Sequence, residues 1–320
     1  MNKNLNFLFL HFPVDNNQIE AKTLPDYFAE KNLKVFSLFE KGKRNFCSIH
    51  KGIDKKAEPV NKELLKNIKF DVIITKNNAF QSYGYQYRSN NTIVINVTPM
   101  GFDYNKKNCD FFFEENELIK APVKEMQEVF DKNFIEWKNR KNQIIVPASI
   151  GSDKNQKEIV DLIDAESFKE YSFLFAGKIY NQQYANYLHS KLASKGIESD
   201  FKLLTRNELA YEFLNSKLTM LTTDPRPSQP FDPGPRVIFE SIRAGTPCII
   251  NDLVLINTYC KPYCTIYQNK NREMFYSACN QFLNRDNDSL SKSCYRDGKK
   301  YLTIDFACQS AYERILACLN

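Results

Sequence analysis

Two carboxylates flank a short stretch of glycine and proline in the last third of the chain. Asp232 precedes a predicted helix over residues 236–244, and Glu240 lies about one and a half turns inside it. Gly234 lets the backbone approach a ligand closely, and Pro235 suits the first helical position, where its missing N–H costs no hydrogen bond. The N-terminus of such a helix attracts a diphosphate, and carboxylates accept charge-assisted hydrogen bonds from sugar hydroxyls. The spacing therefore predicts a site for a ligand that carries both groups.

The same residues also have an ordinary structural interpretation. Arg236 and Glu240 are four residues apart, so they can form a surface ion pair worth only a few tenths of a kcal/mol, roughly. Asp232 belongs to a residue type that is common in turns. Spacing alone leaves both interpretations open.

Residues 232–247, DPGPRVIFESIRAGTP, resemble the E-x7-E region of retaining glycosyltransferases with the GT-B fold, the group 1 type. They are also similar to the R-x-F-E-A-x-A-C-G-T-P signature of related glycosyltransferases, with Arg236 and Glu240 in register. Asp232 stands where the family has its first glutamate. The resemblance implies a nucleotide-sugar donor site in which Glu240 binds the ribose hydroxyls and Asp232 contacts the transferred sugar. It places the diphosphate at Gly234, Pro235 and the start of the helix.

A second stretch, residues 148–156 (ASIGSDKNQ), follows a predicted strand and opens a predicted helix. It is similar to the lysine-containing donor loop of the same family, which implies that Lys154 neutralises the donor diphosphate and that Gly151 belongs to the donor site. The family's arginine, five residues before the lysine, is Ser149 here. Arg206 and Arg236 are the candidates to replace it. A lysine at a helix start is otherwise commonly solvent-exposed, which is the alternative for Lys154.

Histidines and a D-x-D pattern supply the remaining candidates. The three histidines are His11, His50 and His189, and only His11 stands at the predicted end of a strand, where it is a candidate for an acceptor or donor contact. A structural role is its other interpretation. Residues 286–288 imitate a metal-binding D-x-D sequence, but they lie in a polar segment and are predicted to be solvated. We expect no metal and no cofactor, as the resemblance implies.

Short apolar runs alternate with amphipathic stretches along the chain, which indicates βαβ units and parallel sheets. In the first half, strands are predicted at residues 6–12, 33–38, 70–75 and 92–97, and helices at 19–31 and 63–68. A polar, helix-prone stretch over 122–140 ends in a charged segment, 138–142, that is predicted to link two domains. Beyond it, strands are predicted at 143–147, 171–176, 200–204, 218–222 and 247–250, and helices at 156–163, 182–195, 207–216 and 236–244. A rigid proline-rich loop is predicted over 224–235.

The resemblance implies a GT-B architecture of class α/β, with two Rossmann-like domains facing across a cleft and a C-terminal helix crossing back to the first. The predicted domains are an acceptor domain over 1–142, a donor domain over 143–303 and the terminal helix over 304–320. A chain of 320 residues is long enough for two domains.

Composition excludes several classes of protein. Apolar residues make up 42% and charged residues 26%, values typical of globular proteins, so disorder is excluded. A net charge of +6, spread along the chain, favours an anionic small molecule or surface and not a nucleic acid. No apolar run is long enough to span a membrane, so at most peripheral membrane contact is expected. The apolar start is interpreted as a buried strand and not as a signal segment.

Nine scattered cysteines, of which only Cys260 and Cys264 are close in sequence, form no zinc pattern. They indicate free thiols in a reducing compartment, which predicts a cytoplasmic protein, at large in the cytoplasm or at the inner face of a membrane.

The resemblance implies a metal-independent glycosyltransferase that moves a hexose from a UDP- or GDP-sugar to a glycan or lipid-linked acceptor with retention. The alternative is a non-catalytic or degenerate nucleotide-sugar-binding protein. That alternative is favoured by Asp232, by Ser149 and by the absence of the glycine pair that often follows the first strand in the family. An epimerase on the same two-domain plan is a lesser alternative.

Overall fold

The computed structural model describes residues 5–10, 19–41, 44–52, 57–76, 85–98, 109–114, 120–224, 231–283 and 286–319. The strands among them are β1 (Asn6–Leu10), β2 (Lys34–Lys41), β3 (Arg44–Ile49), β4 (Glu58–Pro59), β5 (Val72–Lys76), β6 (Ile93–Thr98), β7 (Phe111–Glu114), β8 (Lys141–Val146), β9 (Ser172–Ala176), β10 (Ser199–Lys202), β11 (Ser216–Leu221), β12 (Asp232–Pro233), β13 (Cys248–Asn251), β14 (Val254–Leu255) and β15 (Cys264–Tyr267). The α-helices are α1 (Ile19–Glu30), α2 (Lys62–Lys66), α3 (Lys124–Lys132), α4 (Gln156–Leu162), α5 (Ala165–Phe168), α6 (Gln182–Ser194), α7 (Arg206–Asn215), α8 (Arg236–Arg243), α9 (Arg272–Leu283), α10 (Asp288–Tyr301) and α11 (Ile304–Ala317).

The first of two compact units comprises Met1–Ile119 and Ile304–Asn320. Its sheet has the strand order β4-β3-β2-β1-β5-β6-β7, in which β2, β1, β5, β6 and β7 are parallel and β3 and β4 extend the edge in antiparallel fashion. Alternate residues of β1 enter apolar clusters on opposite faces: Phe7 and Phe9 pack in one cluster, and Leu8 and Leu10 in another. This burial on both faces is typical of parallel sheets.

The last helix, α11, packs on α1 within this first unit. Cys308, Ala311 and Ile315 are buried in the same apolar cluster as Phe28. The ring of Tyr312 contacts Phe28 edge-on at 4.9 Å between centroids. Apolar burial therefore attaches the C-terminal helix to the first unit.

The second unit, Lys120–Thr303, contains a six-stranded sheet in the order β10-β9-β8-β11-β13-β15, in which every pair is parallel. Numbered from β8, this is the 3-2-1-4-5-6 order of a Rossmann fold. The order reverses between β8 and β11, and ligands of such sheets bind beyond the carboxyl ends of the strands at that reversal.

The structure differs from the sequence prediction around residues 120–142. This stretch lies in the second unit because α3 packs on α7 and α8. Arg140, which the prediction placed in a charged linker, is only 4% exposed. Its guanidinium donates to the carbonyls of Ile135, Ser216 and Ala244 and to the hydroxyl of Thr246. A charged side chain with this many acceptors belongs to the core.

Three strands of the first unit, β3, β4 and β7, were not predicted. β3 and β4 pair only at an antiparallel edge, where their order depends on the register with β2 and not on a local apolar run. Part of the predicted proline-rich loop, residues 225–230, lies outside the described residues, and Asp232–Pro233 pairs with Val254–Leu255 as a short parallel ribbon.

No helix in the described parts of the chain is both long enough and apolar enough to cross a membrane. The nine cysteines are free thiols.

Candidate functional site

The turn after β8 carries Lys154 to the reversal point of the second sheet. A short 3-10 turn, Ser152–Lys154, leads into Asn155, whose φ of 48° is in the left-handed region. The hydroxyl of Thr222, just beyond β11, lies 2.9 Å from the carbonyl of Lys154 and 3.0 Å from that of Asn155, and donates to both. The turn is thus attached to the ends of both β8 and β11.

Lys154 and Asp232 are in direct contact. The lysine Nζ lies 2.7 Å from Oδ2 of Asp232, and the two side chains are 29% and 12% exposed. The backbone N–H of Asp232 donates to the carbonyl of Leu253, which fixes β12 against β14. Lys154 and Asp232, which the resemblance assigns to the diphosphate and to the sugar, therefore form an ion pair.

The start of α8 lies directly after Asp232. Gly234 is buried with a φ of +68°, a conformation that favours glycine, and its carbonyl accepts a hydrogen bond of 2.8 Å from Nζ of Lys120. Pro235 was predicted at the first helical position, but it occupies the N-cap and makes no side-chain cap. The N–H of Ile238 in the first turn of α8 donates to the carbonyl of Pro235 at 3.1 Å, and the positive end of the helix dipole at this N-terminus favours an anion.

Glu240 is completely buried in the second turn of α8. Its Oε1 lies 3.3 Å from Nη1 of Arg206, whereas its buried Oε2 has no hydrogen-bond partner among the described residues. Burial raises the pKa of Glu240, and the charges of Arg206 and Arg236 oppose this shift. The complete burial excludes the exposed ion pair that the spacing of Arg236 and Glu240 allowed.

Arg206 lies beside Glu240, at the first position of α7, where Thr205 and Glu208 form a capping box. Ser149, at the position of the family's arginine, offers its carbonyl to the amide of Gln156 at 2.7 Å. Arg206, a candidate to replace that arginine, contacts the buried carboxylate of Glu240. Gly151 lies in the loop before Lys154, with a backbone that any residue type can adopt.

Sequence reasoning missed Lys120, Thr222 and Gly177. A Cβ on Gly177 would lie 2.0 Å from the carbonyl oxygen of Ala148, so only glycine lets the loops after β8 and β9 approach so closely. Gly177 follows the predicted strand at 171–176, and a glycine there was a usable signal. No sequence signal indicated Lys120 or Thr222, because their partners Gly234 and Lys154 lie 114 and 68 residues away in the chain.

The remaining candidates lie elsewhere or cannot be placed. His11 lies outside the described residues. His50 is buried in the first unit, with Nδ1 2.7 Å from Oδ1 of Asp26 and Nε2 2.8 Å from Oγ of Ser37, so both ring nitrogens are occupied. His189 is partnered by Ser199.

Of the two aspartates in the D-x-D pattern, Asp286 is exposed, and Asp288 is partly exposed and bonded to other groups of the protein. The carboxylate of Asp288 lies 2.6 Å from Nζ of Lys292 and accepts from the backbone N–H of Trp137. Among the described residues, no group of three or more His, Cys, Asp or Glu side chains is placed to hold a metal ion.

Comparison with family models identifies the chain. The model described as glycosyl transferases group 1 matches residues 128–301, which is more than half of the 320 residues. The chain belongs to this family. Lys154, Arg206, Asp232 and Glu240 of this group 1 glycosyltransferase all lie inside the matched region. No curated protein sequence is significantly similar to the chain.

Solved structures show that the fold is GT-B. A glycosyltransferase from Rickettsia africae is 12% identical, with all of both chains covered and a TM-score of 0.61. Sucrose-phosphate synthase from Thermosynechococcus elongatus is 10% identical, with 98% of this chain and 99% of that chain covered and a TM-score of 0.62. HepE from Anabaena, solved with UDP and glucose, is 10% identical, with 98% and 100% covered and a TM-score of 0.57. At these identities the likeness concerns the fold alone.

Proposed function

We propose that this group 1 glycosyltransferase transfers a hexose from a UDP- or GDP-sugar to a glycan or lipid-linked acceptor, with retention and without a metal ion. The observation that carries the proposal is the buried Oε2 of Glu240, which has no hydrogen-bond partner among the described residues, in the helix that begins beside Lys154 and Asp232. A buried carboxylate oxygen without a donor costs about 1–3 kcal/mol. The vicinal hydroxyls of a ribose are donors of the right kind.

The diphosphate of the donor would bind at the start of α8. The dipole of α8, whose N-terminus has no side-chain cap, favours negative charge there, and the left-handed Gly234 leaves no Cβ in the way. Lys154 lies next to this helix start through its contact with Asp232. Together these groups would stabilise the departing nucleoside diphosphate, the task that a metal ion performs in other transferases.

Asp232 would bind the hexose. In a front-face reaction the bond from the anomeric carbon to the leaving phosphate oxygen breaks while the acceptor hydroxyl attacks from the same side. The leaving phosphate oxygen then takes the hydroxyl proton, so this mechanism uses no histidine. Retention follows because the new bond forms on the face from which the phosphate departs.

Structures of similar fold support a nucleotide-sugar donor. HepE was solved in complex with UDP-glucose, and an α-glucosyltransferase was solved with UDP and a 13-mer DNA. The positive charge spread along this chain is compatible with anionic donors of this kind.

We expect Glu240→Gln to weaken binding of the free nucleoside diphosphate by about 1–3 kcal/mol, the value of a lost hydrogen bond to a charged group. The substitution keeps the shape of the side chain, so the free energy of unfolding should change little. Isothermal titration calorimetry measures the affinity, and Glu273→Gln, an exposed glutamate of α9, is the control. Wild-type affinity of Glu240→Gln would refute the ribose assignment.

We expect Lys154→Ala to weaken binding of a nucleoside diphosphate about tenfold or more while leaving binding of the nucleoside unchanged, because the ammonium group would contact the phosphates and not the nucleoside. Titration of UDP against uridine, or of GDP against guanosine, measures the difference. Lys157→Ala, an exposed lysine one turn further along, is the control. An equal loss for both ligands would mean that Lys154 acts on the structure alone.

A panel of UDP-glucose, GDP-mannose and related donors tests the proposal as a whole. Release of free nucleoside diphosphate in the presence of acceptor glycans supports transfer. Binding of a donor without turnover across the panel would support the alternative of a nucleotide-sugar-binding protein, which Ser149 and the existing contact of Lys154 with Asp232 favour. The absence of binding to every nucleotide would overturn both.

A further inference from the structure

Glu158 is a buried carboxylate that the proposed reaction does not use. It lies in the first turn of α4 and is only 7% exposed, which raises its pKa. Its Oε2 accepts a hydrogen bond of 2.6 Å from the side-chain amide of Asn155, and its Oε1 accepts one of 2.8 Å from the backbone N–H of Lys270. With the amide of Asn269 oriented as a donor, its nitrogen lies 2.6 Å from Oε2 and 3.2 Å from Oε1.

The donors to Glu158 come from two strained turns. Asn155 has a φ of 48° and Lys270 a φ of 64°, both in the left-handed region that residues other than glycine adopt at a cost. Asn155 ends the turn that carries Lys154, and Lys270 follows β15 at the same edge of the sheet. One carboxylate therefore bonds to both of these turns.

The opposite side of the Lys154 turn is fixed by Thr222, whose hydroxyl donates to the carbonyls of Lys154 and Asn155. Glu158 and Thr222 thus bind Asn155 from two directions, one through its side chain and one through its carbonyl. A lysine has a long and flexible side chain, so the place that its ammonium group reaches depends on where this turn is held.

We infer that Glu158 is a positioning residue for the donor diphosphate, acting through the turn that holds Lys154 at the start of α8. The inference rests on the proposed role of Lys154. Glu158 itself touches no ligand, because its oxygens are occupied by groups of the protein. A side chain with only a structural role would affect the free energy of unfolding but not the preference of the site for phosphate.

A double-mutant cycle tests the inference on the full-length chain. Affinities for UDP and uridine, or for GDP and guanosine if the donor panel selects that base, are measured by calorimetry for Glu158→Gln, Lys154→Ala and the double variant. We expect Glu158→Gln to weaken diphosphate binding about tenfold without changing nucleoside binding, and to cause little further loss when Lys154 is already alanine. Asp161→Asn, an intermediately exposed carboxylate on the same helix, is the matched control.

A second variant, Asn155→Gly, removes the amide donor while glycine tolerates the positive φ, and it should show the same selective loss. This variant decides the matter if Glu158→Gln does not fold. Equal weakening of both ligands, wild-type affinity for the diphosphate, or full additivity with Lys154→Ala would each overturn the inference. If Lys154→Ala alone leaves diphosphate binding unchanged, it is the proposed role of Lys154 that fails.

Discussion

Asp232→Asn is expected to reduce the rate of sugar transfer about a hundredfold or more without weakening the binding of free nucleoside diphosphate. The carboxylate is 12% exposed and held in a short strand, so it is preorganised, and removal of one such charged group costs roughly 100- to 1,000-fold in rate. Loss of the Asp232 carboxylate leaves the ammonium group of Lys154 without a counter-charge, and this favours binding of the diphosphate. Initial rates of transfer and calorimetric affinities are the two measurements.

Two further variants sharpen the test of Asp232. Asp232→Glu introduces the residue of the family motif and should retain most of the transfer activity. Asp200→Asn changes an exposed aspartate that pairs with Lys202 on the edge strand β10, and should have no effect. A wild-type rate for Asp232→Asn would contradict its assignment to the sugar. A loss of nucleotide binding as large as that of Glu240→Gln would show that both acids bind the nucleotide.

Arg140→Met is expected to lower the free energy of unfolding by about 3–5 kcal/mol, because it leaves several buried neutral acceptors without their donor. The substitution leaves the carbonyls of Ser216 and Ala244 and the hydroxyl of Thr246 without this donor. Burial lowers the pKa of Arg140 to about 10, so the guanidinium is still protonated at neutral pH. Denaturant unfolding monitored by circular dichroism measures the change.

The same substitution is expected to weaken nucleotide binding through α8. Arg140 bonds to the carboxyl end of this helix, at Ala244 and Thr246, while the opposite end forms the candidate diphosphate site. Lys138→Met, two residues away and 72% exposed in its side chain, should change stability by less than about 0.5 kcal/mol. A cost below about 1 kcal/mol for Arg140→Met would contradict the assignment of Arg140 to the core.

Much of the fold could be predicted from local sequence patterns. The parallel strands at the centres of both sheets are short apolar runs bounded by polar turns, so their identity depends on a few consecutive residues. The helix that begins after Pro235 was predictable for the same reason, since glycine and proline before it and Gly245 after it act locally. Edge strands β3 and β4 were missed because their partners, and not their own composition, order them.

The charged segment at 138–142 shows that local composition can fail to predict burial. Five consecutive polar residues predict a solvated linker, yet Arg140 is buried. Its acceptors come from residues 135, 216, 244 and 246, and only packing of α7 and α8 against the segment brings most of them together. A guanidinium with several protein acceptors is stable in the core, a condition that no local pattern reports.

The sequence by itself determined the α/β architecture with two Rossmann-like domains, the family resemblance at residues 232–247, and Asp232, Glu240 and Lys154 as candidates, because each signal lies within a few consecutive residues. Only the tertiary structure decided that Lys154 contacts Asp232, that Arg206 contacts Glu240 and that Glu240 is buried. These pairs are 78 and 34 residues apart. They meet because parallel strands align their carboxyl ends at one edge of the sheet, and the order of the strands sets which loops become neighbours there.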